Sequence, residues 1–230
     1  ADPLERLAAR PIKGGPSGAD FARFVNDHTT VTSTVLVPEI KLHLATAARL
    51  IFVEADELVD GGLGSRPYWA FAWPGGQGLA RYILDHPHLV AGKRVLDIGS
   101  GSGLGAIAAL KAGARSALAA DIDPLADTAA GMNARLNGVD MQTTREDLLA
   151  SDPVFDVVLI GDLVYEPDLQ IRVGAFLDTL RRRRIPALYG DRTSARRPRR
   201  DFELLIEYEA PLTPALVDDF IERARVWKLG

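Results

Sequence analysis

The chain of 230 residues contains no cysteine. This absence excludes a disulfide scaffold, a thiolate metal site and a mechanism with a cysteine nucleophile. Histidine is scarce too, and its four copies show no ligand spacing such as H-E-x-x-H. We therefore predict no metal centre.

Long apolar runs are absent as well. The longest candidate, Leu42 to Ala55, is interrupted by His43, Arg49 and Glu54, whereas a membrane helix needs about 18 or more apolar residues. Leu4 to Lys13 mixes charged and apolar residues, which is not the pattern of a secretory signal. We therefore predict no membrane association and a cytoplasmic location.

The net charge of −4 is distributed unevenly along the chain. Residues 181–200 contain nine arginines and one acid, whereas the other 210 residues contain 18 basic and 30 acidic side chains. A body this acidic argues against general nucleic-acid binding, so we predict no nucleic-acid partner. The arginine cluster is predicted either to contact an acidic protein surface or to be a solvated face.

Short apolar runs alternate with amphipathic segments from residue 75 onward. This alternation predicts an α/β fold with a doubly wound, mostly parallel seven-stranded sheet and helices on both faces. A helix and a closing strand pair are expected after residue 200. The predicted strands are Arg94–Ile98, Ser116–Ala120, Met141–Thr144, Phe155–Ile160 and Ala187–Gly190, and the predicted helices are Gly75–Asp85, Gly103–Ala112, Pro124–Asn137 and Pro167–Arg183.

The first third of the chain carries mixed signals. We predict a helix over Asp20–His28, an extended stretch over Thr30–Val37 and a helix over Leu44–Val53. Glycines at positions 61, 62 and 64 indicate a loop. Residues 1–66 are therefore predicted to form a small N-terminal extension, and residues 67–230 the main domain.

Glycine is concentrated where a predicted strand meets a predicted helix. Residues 95–105 read Val-Leu-Asp-Ile-Gly-Ser-Gly-Ser-Gly-Leu-Gly. Glycines allow positive φ and close approach of a ligand to the backbone, and a helix N-terminus attracts negatively charged groups. We predict ligand contacts from Asp97, Gly99, Ser100 and Gly101.

Two ligand classes fit this turn, a dinucleotide and S-adenosyl-L-methionine, and a tight turn without a ligand is the third possibility. The dinucleotide pattern G-x-G-x-x-G fails from Gly99 because residue 104 is leucine. Asp97 would repel a pyrophosphate, but its carboxylate can accept a hydrogen bond from the methionine ammonium. The residues therefore favour S-adenosyl-L-methionine.

Two further acids follow the next two predicted strands. Asp121 ends the second strand, where a carboxylate can bind both ribose hydroxyls; as a helix cap it fits less well than Asp123. Asp147 follows the third strand, where it can accept from the adenine amine or remain a solvated loop acid.

The fourth predicted strand delivers Asp162 and Tyr165 to the carboxyl end of the sheet, where ligands bind in such folds. Three residues apart in a turn, the two side chains can face one pocket; a helix cap and a packed ring are the structural alternatives. An aromatic block at 68–73 precedes the helix of Gly75–Asp85. Its rings, Tyr68 and Trp69 among them, can cover the cofactor, contact a cationic substrate side chain or belong to the core.

Together these motifs resemble the seven-β-strand (class I) methyltransferases, whose glycine motif matches residues 95–103 and whose ribose motif matches Ala-Asp-Ile-Asp-Pro at 120–124. A narrower resemblance rests on Pro38-Glu39-Ile40, on Tyr-Trp-Ala-Phe-Ala-Trp-Pro-Gly-Gly-Gln at 68–77 and on Gly-Asp-Leu-Val-Tyr at 161–165. This combination is similar to the lysine methyltransferases that modify the electron transfer flavoprotein β subunit, over roughly residues 25–229.

The resemblance implies a Rossmann-like methyltransferase fold and methylation of protein lysine by S-adenosyl-L-methionine. It adds Trp73, Ile122 and Gly161 to the cofactor pocket, and it implies that Asp162 orients the lysine amine while Tyr165 flanks it. The partner implied is a protein substrate, the flavoprotein β subunit, and we expect a monomer from a bacterial cytoplasm.

Several other functions remain open at this stage. Ribosomal-protein methyltransferases share the Asp-Ile-Asp-Pro motif and the region of Asn133 and Asn137, but this chain lacks the Asn-Pro-Pro-Tyr motif that serves base or glutamine amide nitrogens. A small-molecule methyltransferase, a cofactor-binding module without activity and, more remotely, a dinucleotide-dependent oxidoreductase are the alternatives.

Overall fold

A computed structural model describes residues 17–45, 51, 55, 66–164, 167–192, 201–211 and 221–230. Its centre is a sheet of seven strands, with a two-stranded sheet near the N-terminus. In chain order the elements are α1 (Gly18–His28), β1 (Thr29–Thr32), β2 (Leu42–Ala45), α2 (Pro74–Asp85), β3 (Arg94–Ile98), α3 (Leu104–Lys111), β4 (Ser116–Ala120), α4 (Pro124–Leu136), β5 (Gln142–Thr144), β6 (Val157–Gly161), α5 (Pro167–Arg183), β7 (Ala187–Arg192), β8 (Phe202–Pro211) and β9 (Ile221–Leu229), with 3-10 turns at Tyr68–Ala70, Pro87–Leu89 and Leu148–Ala150.

The strands of the large sheet follow the order β5-β4-β3-β6-β7-β9-β8. The first five in this order are parallel, and β9 is antiparallel to both β7 and β8. The predicted doubly wound, mostly parallel seven-stranded sheet is confirmed. Because β3, β4 and β6 lie side by side, the residues that follow their carboxyl ends meet at one edge.

Buried apolar residues on both faces of the central strands explain why these segments form the middle of the sheet. In β3, all residues except Arg94 are buried. One face packs against α2 and α3 through residues such as Leu79 and Ile107. The opposite face packs against α5 through Phe176 and Leu180. The helices therefore cover both sides, as the alternation of segments predicted.

The helix ends follow local sequence signals. Asp123 caps α4, since its Oδ1 accepts from the Leu125 amide at 2.8 Å and Pro124 occupies the first turn. Gly113 and Gly138 follow α3 and α4 with φ of 91° and 65°, in the left-handed region that glycine tolerates. The glycine stops predicted for both helices are confirmed.

The N-terminal elements pack mainly against α4. Phe21, Phe24 and Val25 of α1 share a core cluster with Leu125 and other α4 residues. Of the extended stretch predicted over Thr30–Val37, only residues 30–32 form a strand, as part of β1. The predicted boundary at residue 66 stays a prediction, and most of the predicted glycine loop lies outside the described residues.

The helix predicted over Leu44–Val53 is wrong at its start, because Leu44 and Ala45 belong to β2. All four residues of β2 are buried, and such a short apolar run does not distinguish a buried strand from a helix by periodicity.

The C-terminal strand pair is present as β8 and β9. The helix expected before it is not found in residues 201–211 or 221–230. Within the described ranges, no helix combines the length and the apolar character needed to cross a bilayer.

The first turn of α2 lies directly against the end of β7. A Cβ at Gly75 would lie 2.6 Å from both the carbonyl carbon and the carbonyl oxygen of Gly190. The next residue, Gly76, has open space at the same position. Close packing of the helix on the sheet therefore requires glycine at position 75 and not at position 76.

We expect Gly75→Ala to lower the free energy of unfolding by about 1–3 kcal/mol, the range for forcing extra atoms into a packed site. Gly76→Ala is the matched control in the same turn, and it should be neutral or stabilising by up to about 1 kcal/mol because alanine favours helix. Equilibrium unfolding in urea measures both. Equal stability of the two variants would contradict this packing.

Candidate functional site

A cleft opens at the carboxyl edge of the sheet, between the glycine loop (residues 99–103) and the first turn of α2. It encloses about 470 Å³, including open space at its mouth. The lining residues are Tyr68, Phe71, Ala72, Trp73, Gly76, Leu79, Asp97, Gly99, Ser100, Gly101, Ser102, Leu104, Gly105, Gly161 and Asp162.

Asp97 lies in β3 beneath the start of α3. Its Oδ2 accepts from the Ala106 amide at 2.9 Å, and a Cβ at Gly105 would lie 2.8 Å from the same oxygen. The side chain is only 4% exposed. Burial raises the pKa of Asp97 to about 7; the Ala106 amide opposes the shift and the nearby Asp121 adds to it.

The glycine loop is fixed mostly by backbone hydrogen bonds. The amides of Gly99 and Ser100 donate to the Ala120 carbonyl at 2.9 and 3.2 Å. Gly99, Gly101 and Gly103 all have positive φ, between 50° and 78°. These dihedrals are accessible to glycine and strained for other residues, which explains why the loop needs glycine at alternate positions.

Asp121, directly after β4, holds the same loop from the other side. Its Oδ2 accepts from the Gly101 amide at 2.9 Å, and its Oδ1 accepts from the Asp123 amide at 3.1 Å. Burial raises the pKa of Asp121 to about 6. Ile122 follows with 67% of its surface exposed, so an apolar side chain stands in solvent beside this carboxylate.

Asp162 follows β6 with a φ of 47°, which is uncommon for a residue other than glycine. Its Oδ2 accepts from the Gly76 amide at 2.9 Å. Asp162 thus supplies a hydrogen-bond acceptor to the first turn of α2, whose cap residue Trp73 supplies none. Burial raises the pKa of Asp162 to about 7, and Asp191 adds to the shift.

The aromatic block forms one wall of the cleft. Trp73 Nε1 donates to the Tyr68 carbonyl at 2.9 Å, and the two rings meet edge to face. Arg192, at the end of β7, places its guanidinium carbon 5.9 Å from the centre of the Trp73 ring, within cation–π range. The wall therefore combines the half-buried rings of Tyr68 and Trp73 with a nearby positive charge.

Trp69 does not line this wall. It is 2% exposed and packs in the core cluster of α1 and α4. The predicted contact between Trp69 and a substrate does not agree with this burial, whereas Tyr68 lines the cleft as predicted for a substrate contact.

Asp147 lies apart from the lining residues. Its Oδ1 accepts from the Leu149 amide at 3.2 Å, and its Oδ2 forms an ion pair with Arg172. Its contact with an adenine ring stays a prediction. Tyr165 lies outside the described residues, so its place beside Asp162 stays a prediction.

Sequence reasoning missed several residues of the site. Leu163 packs over the glycine loop, because a Cβ at Gly99 would overlap its side chain. Leu104 lines the cleft, and the Gly76 amide holds Asp162. The Trp-Pro-Gly-Gly-Gln block was identified as a motif, but its contact with Asp162 was not predicted. Gly76 and Asp162 are 86 residues apart, and sequence spacing carries no signal for a contact over that distance.

The arginine cluster is divided between two edges of the sheet. Arg181 forms an ion pair with Asp201, next to the start of β8, and Arg183 with Asp152. These residues precede β7 and lie at the amino edge, away from the cleft. Arg192 lies at the carboxyl edge beside Trp73. Residues 196–200 are outside the described chain, so a contact between the cluster and a protein substrate stays a prediction.

Comparison with known proteins agrees with this geometry. A family model described as ribosomal protein L11 methyltransferase (PrmA) matches residues 82–163. A solved structure from Pyrococcus horikoshii, assigned as an RNA methyltransferase, superimposes with a TM-score of 0.51 at 16% identity, covering 67% of this chain and 82% of that one. At this identity the likeness supports the fold alone.

Relatives identified by sequence similarity define the family. The electron transfer flavoprotein beta subunit lysine methyltransferase of Mus musculus is 44% identical over 149 residues, which cover 64% of this chain and 57% of the mouse protein. In the human protein of the same name the matched part is 62% of its length. The homolog of Caenorhabditis elegans is 31% identical over 225 residues, which cover 89% of each chain. The resemblance predicted from the motifs is confirmed: the chain belongs to the electron transfer flavoprotein β-subunit lysine methyltransferase family.

Proposed function

We propose that the protein transfers a methyl group from S-adenosyl-L-methionine to lysine side chains of a protein, the electron transfer flavoprotein β subunit. The observation that carries this proposal is that Asp97 and Asp162 line one cleft, while Asp121, at the end of the neighbouring strand, holds the glycine loop of that cleft. Three carboxylates that are held by backbone amides suit a site for positively charged groups. Family membership then supports methyl transfer as the reaction.

The residues present fit this cofactor. S-adenosyl-L-methionine supplies a methyl group bound to a positively charged sulfur, and it carries an ammonium group and a ribose. Asp97 would accept from the ammonium, Asp121 would bind the ribose hydroxyls, and Ile122 offers an exposed apolar surface to the adenine ring. The absence of a Cβ at Gly99 and Gly101 leaves the loop backbone open to the ligand.

A dinucleotide fits the same site poorly. In dinucleotide-binding folds the pyrophosphate binds to amides at the helix N-terminus. Here the Ala106 amide, in the first turn of α3, already donates to the Asp97 carboxylate. A phosphate at this position would meet a buried negative charge, so the start of α3 disfavours an oxidoreductase.

Asp162 supports the substrate half of the proposal. The Gly76 amide fixes one of its carboxylate oxygens, so the side chain is oriented before a substrate arrives. A lysine amine entering along Tyr68 and Trp73 would then be held toward the reacting methyl group. Positioning of this kind contributes roughly 7–11 kcal/mol in favourable cases.

The lysine must also lose a proton before it attacks. A positively charged sulfur and partial burial both lower the pKa of the lysine amine. At its ordinary pKa a carboxylate is a weak proton acceptor, but burial raises the pKa of Asp162 to about 7. We infer that Asp162 can hold the proton at its carboxylate as well as orient the amine.

Other acceptors are less well supported. The match to the ribosomal-protein methyltransferase model covers residues 82–163. It includes Asp162 but not the aromatic block at 68–73 or Tyr165, so it does not favour a ribosomal protein as the acceptor. Cytoplasmic location and a monomeric state stay predictions.

The proposed substrate is tested by incubating the protein with purified electron transfer flavoprotein and S-adenosyl-L-methionine. We expect mass spectrometry to find added methyl groups on lysines of the β subunit and none on the α subunit. Omission of the cofactor is the control. If the β subunit remains unmodified while another protein in a cell lysate is methylated, the substrate assignment is wrong.

Asp162→Ala tests the substrate half of the site. We expect methyl transfer to fall at least 100-fold while the Kd for S-adenosyl-L-methionine changes less than threefold, because Asp162 faces the acceptor. Asp156→Asn, at the opposite end of β6 where Asp156 pairs with Arg94, is the control and should leave both quantities unchanged. Calorimetry and a radiolabelled methyl assay measure the two quantities. Turnover by Asp162→Ala within tenfold of the parent would remove Asp162 from the mechanism.

The raised pKa of Asp97 predicts a pH effect on the ligand-free protein. Between about pH 4 and pH 7 the folded state binds more protons than the unfolded chain, because the folded pKa of about 7 exceeds the unfolded value near 4. Stability therefore decreases as pH rises through this window. We expect Asp97→Asn to raise the Tm clearly at pH 8 and by a smaller amount at pH 5, because only the first part of the window lies below pH 5. The same variant should weaken cofactor binding at least tenfold.

Asp156→Asn is the matched control for this experiment. The Arg94 guanidinium holds the pKa of Asp156 at about 2, so neutralising this surface carboxylate should not raise the Tm at either pH. Thermal melts at both pH values measure the difference. If the Tm of Asp97→Asn at pH 8 does not exceed the parent value, the ionised Asp97 carboxylate does not destabilise the folded, ligand-free protein, and this prediction is wrong.

A further inference from the structure

Asn133 of α4 and Asn137, the residue directly after that helix, hold the N-terminal hairpin, which comprises β1, β2 and the residues between them. Asn137 Oδ1 accepts from the Lys41 amide at 3.0 Å, and its Nδ2 donates to the Lys41 carbonyl at 2.6 Å. One helical turn earlier, Asn133 Oδ1 accepts from the His43 amide at 2.8 Å. The two side-chain amides thus form hydrogen bonds with the backbone of alternate residues, Lys41 and His43, on one edge of the hairpin, as a neighbouring strand would.

Asn133 makes two further contacts that Asn137 does not make. Its Oδ1 also accepts from His43 Nδ1 at 2.9 Å, and its Nδ2 donates to the Ser102 carbonyl at 2.9 Å. Asn133 has no exposed surface, and His43 and Ser102 are 9% and 6% exposed. A single buried amide therefore links the hairpin to the glycine loop of the cleft.

The position of this link within the loop matters. On its opposite side the loop is held by Asp121, which accepts from the Gly101 amide. Asp121 is also the carboxylate proposed to bind the ribose. Asn133 holds the loop through the Ser102 carbonyl and is not among the residues that line the cleft. The adjoining residue, Gly103, rests on α4, where a Cβ would lie 3.1 Å from the Ala130 side chain.

We propose that Asn133 is a positioning residue that couples the docked N-terminal hairpin to the conformation of the cofactor loop. This inference rests on the proposed use of the loop for S-adenosyl-L-methionine. With the Ser102 carbonyl held, the Gly99–Gly103 turn keeps the shape that the ligand requires. Coupling of this kind is reciprocal, so cofactor binding should also stabilise the hairpin.

Asn133→Asp tests the link with little change in shape. An aspartate keeps acceptors for the His43 amide and ring, but it places an oxygen where the Ser102 carbonyl needs a donor. We expect the Kd and the KM for S-adenosyl-L-methionine to rise about tenfold or more, with kcat at saturating cofactor and the KM for the protein substrate within twofold of the parent. Calorimetry and steady-state kinetics measure these quantities.

Asn137→Asp is the matched control. It makes the same chemical change on the same face of α4 and against the same hairpin, but it does not contact the glycine loop. We expect its Kd for the cofactor to stay within twofold of the parent value. An equal loss of affinity in both variants, or a fall in kcat together with a rise in both KM values, would show a general structural role and overturn the proposal.

Hydrogen exchange in the unmodified protein tests the coupling without any variant, which matters if Asn133→Asp does not fold. Saturating S-adenosyl-L-methionine should slow exchange of the His43 amide at least fivefold, and amides of β8 should slow less. An unchanged rate at His43 would overturn the inference. If the unmodified protein binds no cofactor, the proposed function and this inference both fail; if the parent and Asn133→Asp bind equally well, this inference alone fails.

Discussion

The site depends on keeping negative charge at a poorly solvated edge of the sheet. Asp97, Asp121 and Asp162 each give at least one oxygen to a backbone amide, from Ala106, Gly101 and Gly76 respectively. An amide dipole offsets only part of the cost of burying a carboxylate. The part of this cost that the amides do not offset raises the pKa of all three carboxyl groups. A positively charged ligand bound nearby would reduce that cost.

The topology of the sheet makes this concentration of charge possible. Neighbouring parallel strands end at the same edge, and helices α2 and α3 begin there. The first turns of these helices supply the amides that fix Asp162 and Asp97, and the glycine loop supplies the amide that fixes Asp121. The close approach of α2 to β7 in turn depends on Gly75 and Gly190, which lack the side chains that would separate them.

Much of this arrangement follows from the sequence. Strands β3 and β4 and helix α5 have the predicted bounds, because apolar runs, proline starts and glycine stops are local signals. The acids at the strand ends follow from the same reasoning, since a strand end in a parallel sheet fixes where the next residue lies. Local patterns fail where packing decides: Trp69 is a core residue, and Leu44 lies in a strand.

Contacts between distant segments could not be predicted from spacing. The bond between Asp162 and the Gly76 amide joins residues 86 apart, and the link from Asn133 to His43 joins residues 90 apart. Both depend on how α2, α4 and the hairpin dock on the sheet, which no single segment encodes. The division of the arginine cluster between two edges has the same origin, because α5 and β7 run in opposite directions.

The most direct test is a crystal structure of the protein with S-adenosyl-L-homocysteine, the product form of the cofactor. The proposed site requires the amino group of the ligand to lie within hydrogen-bond distance of the Asp97 carboxylate or the adjoining loop. It also requires the ribose hydroxyls to lie on Asp121, with the sulfur directed toward Asp162. A ligand bound away from these three carboxylates, or its absence from the cleft at saturating concentration, would contradict the proposed function.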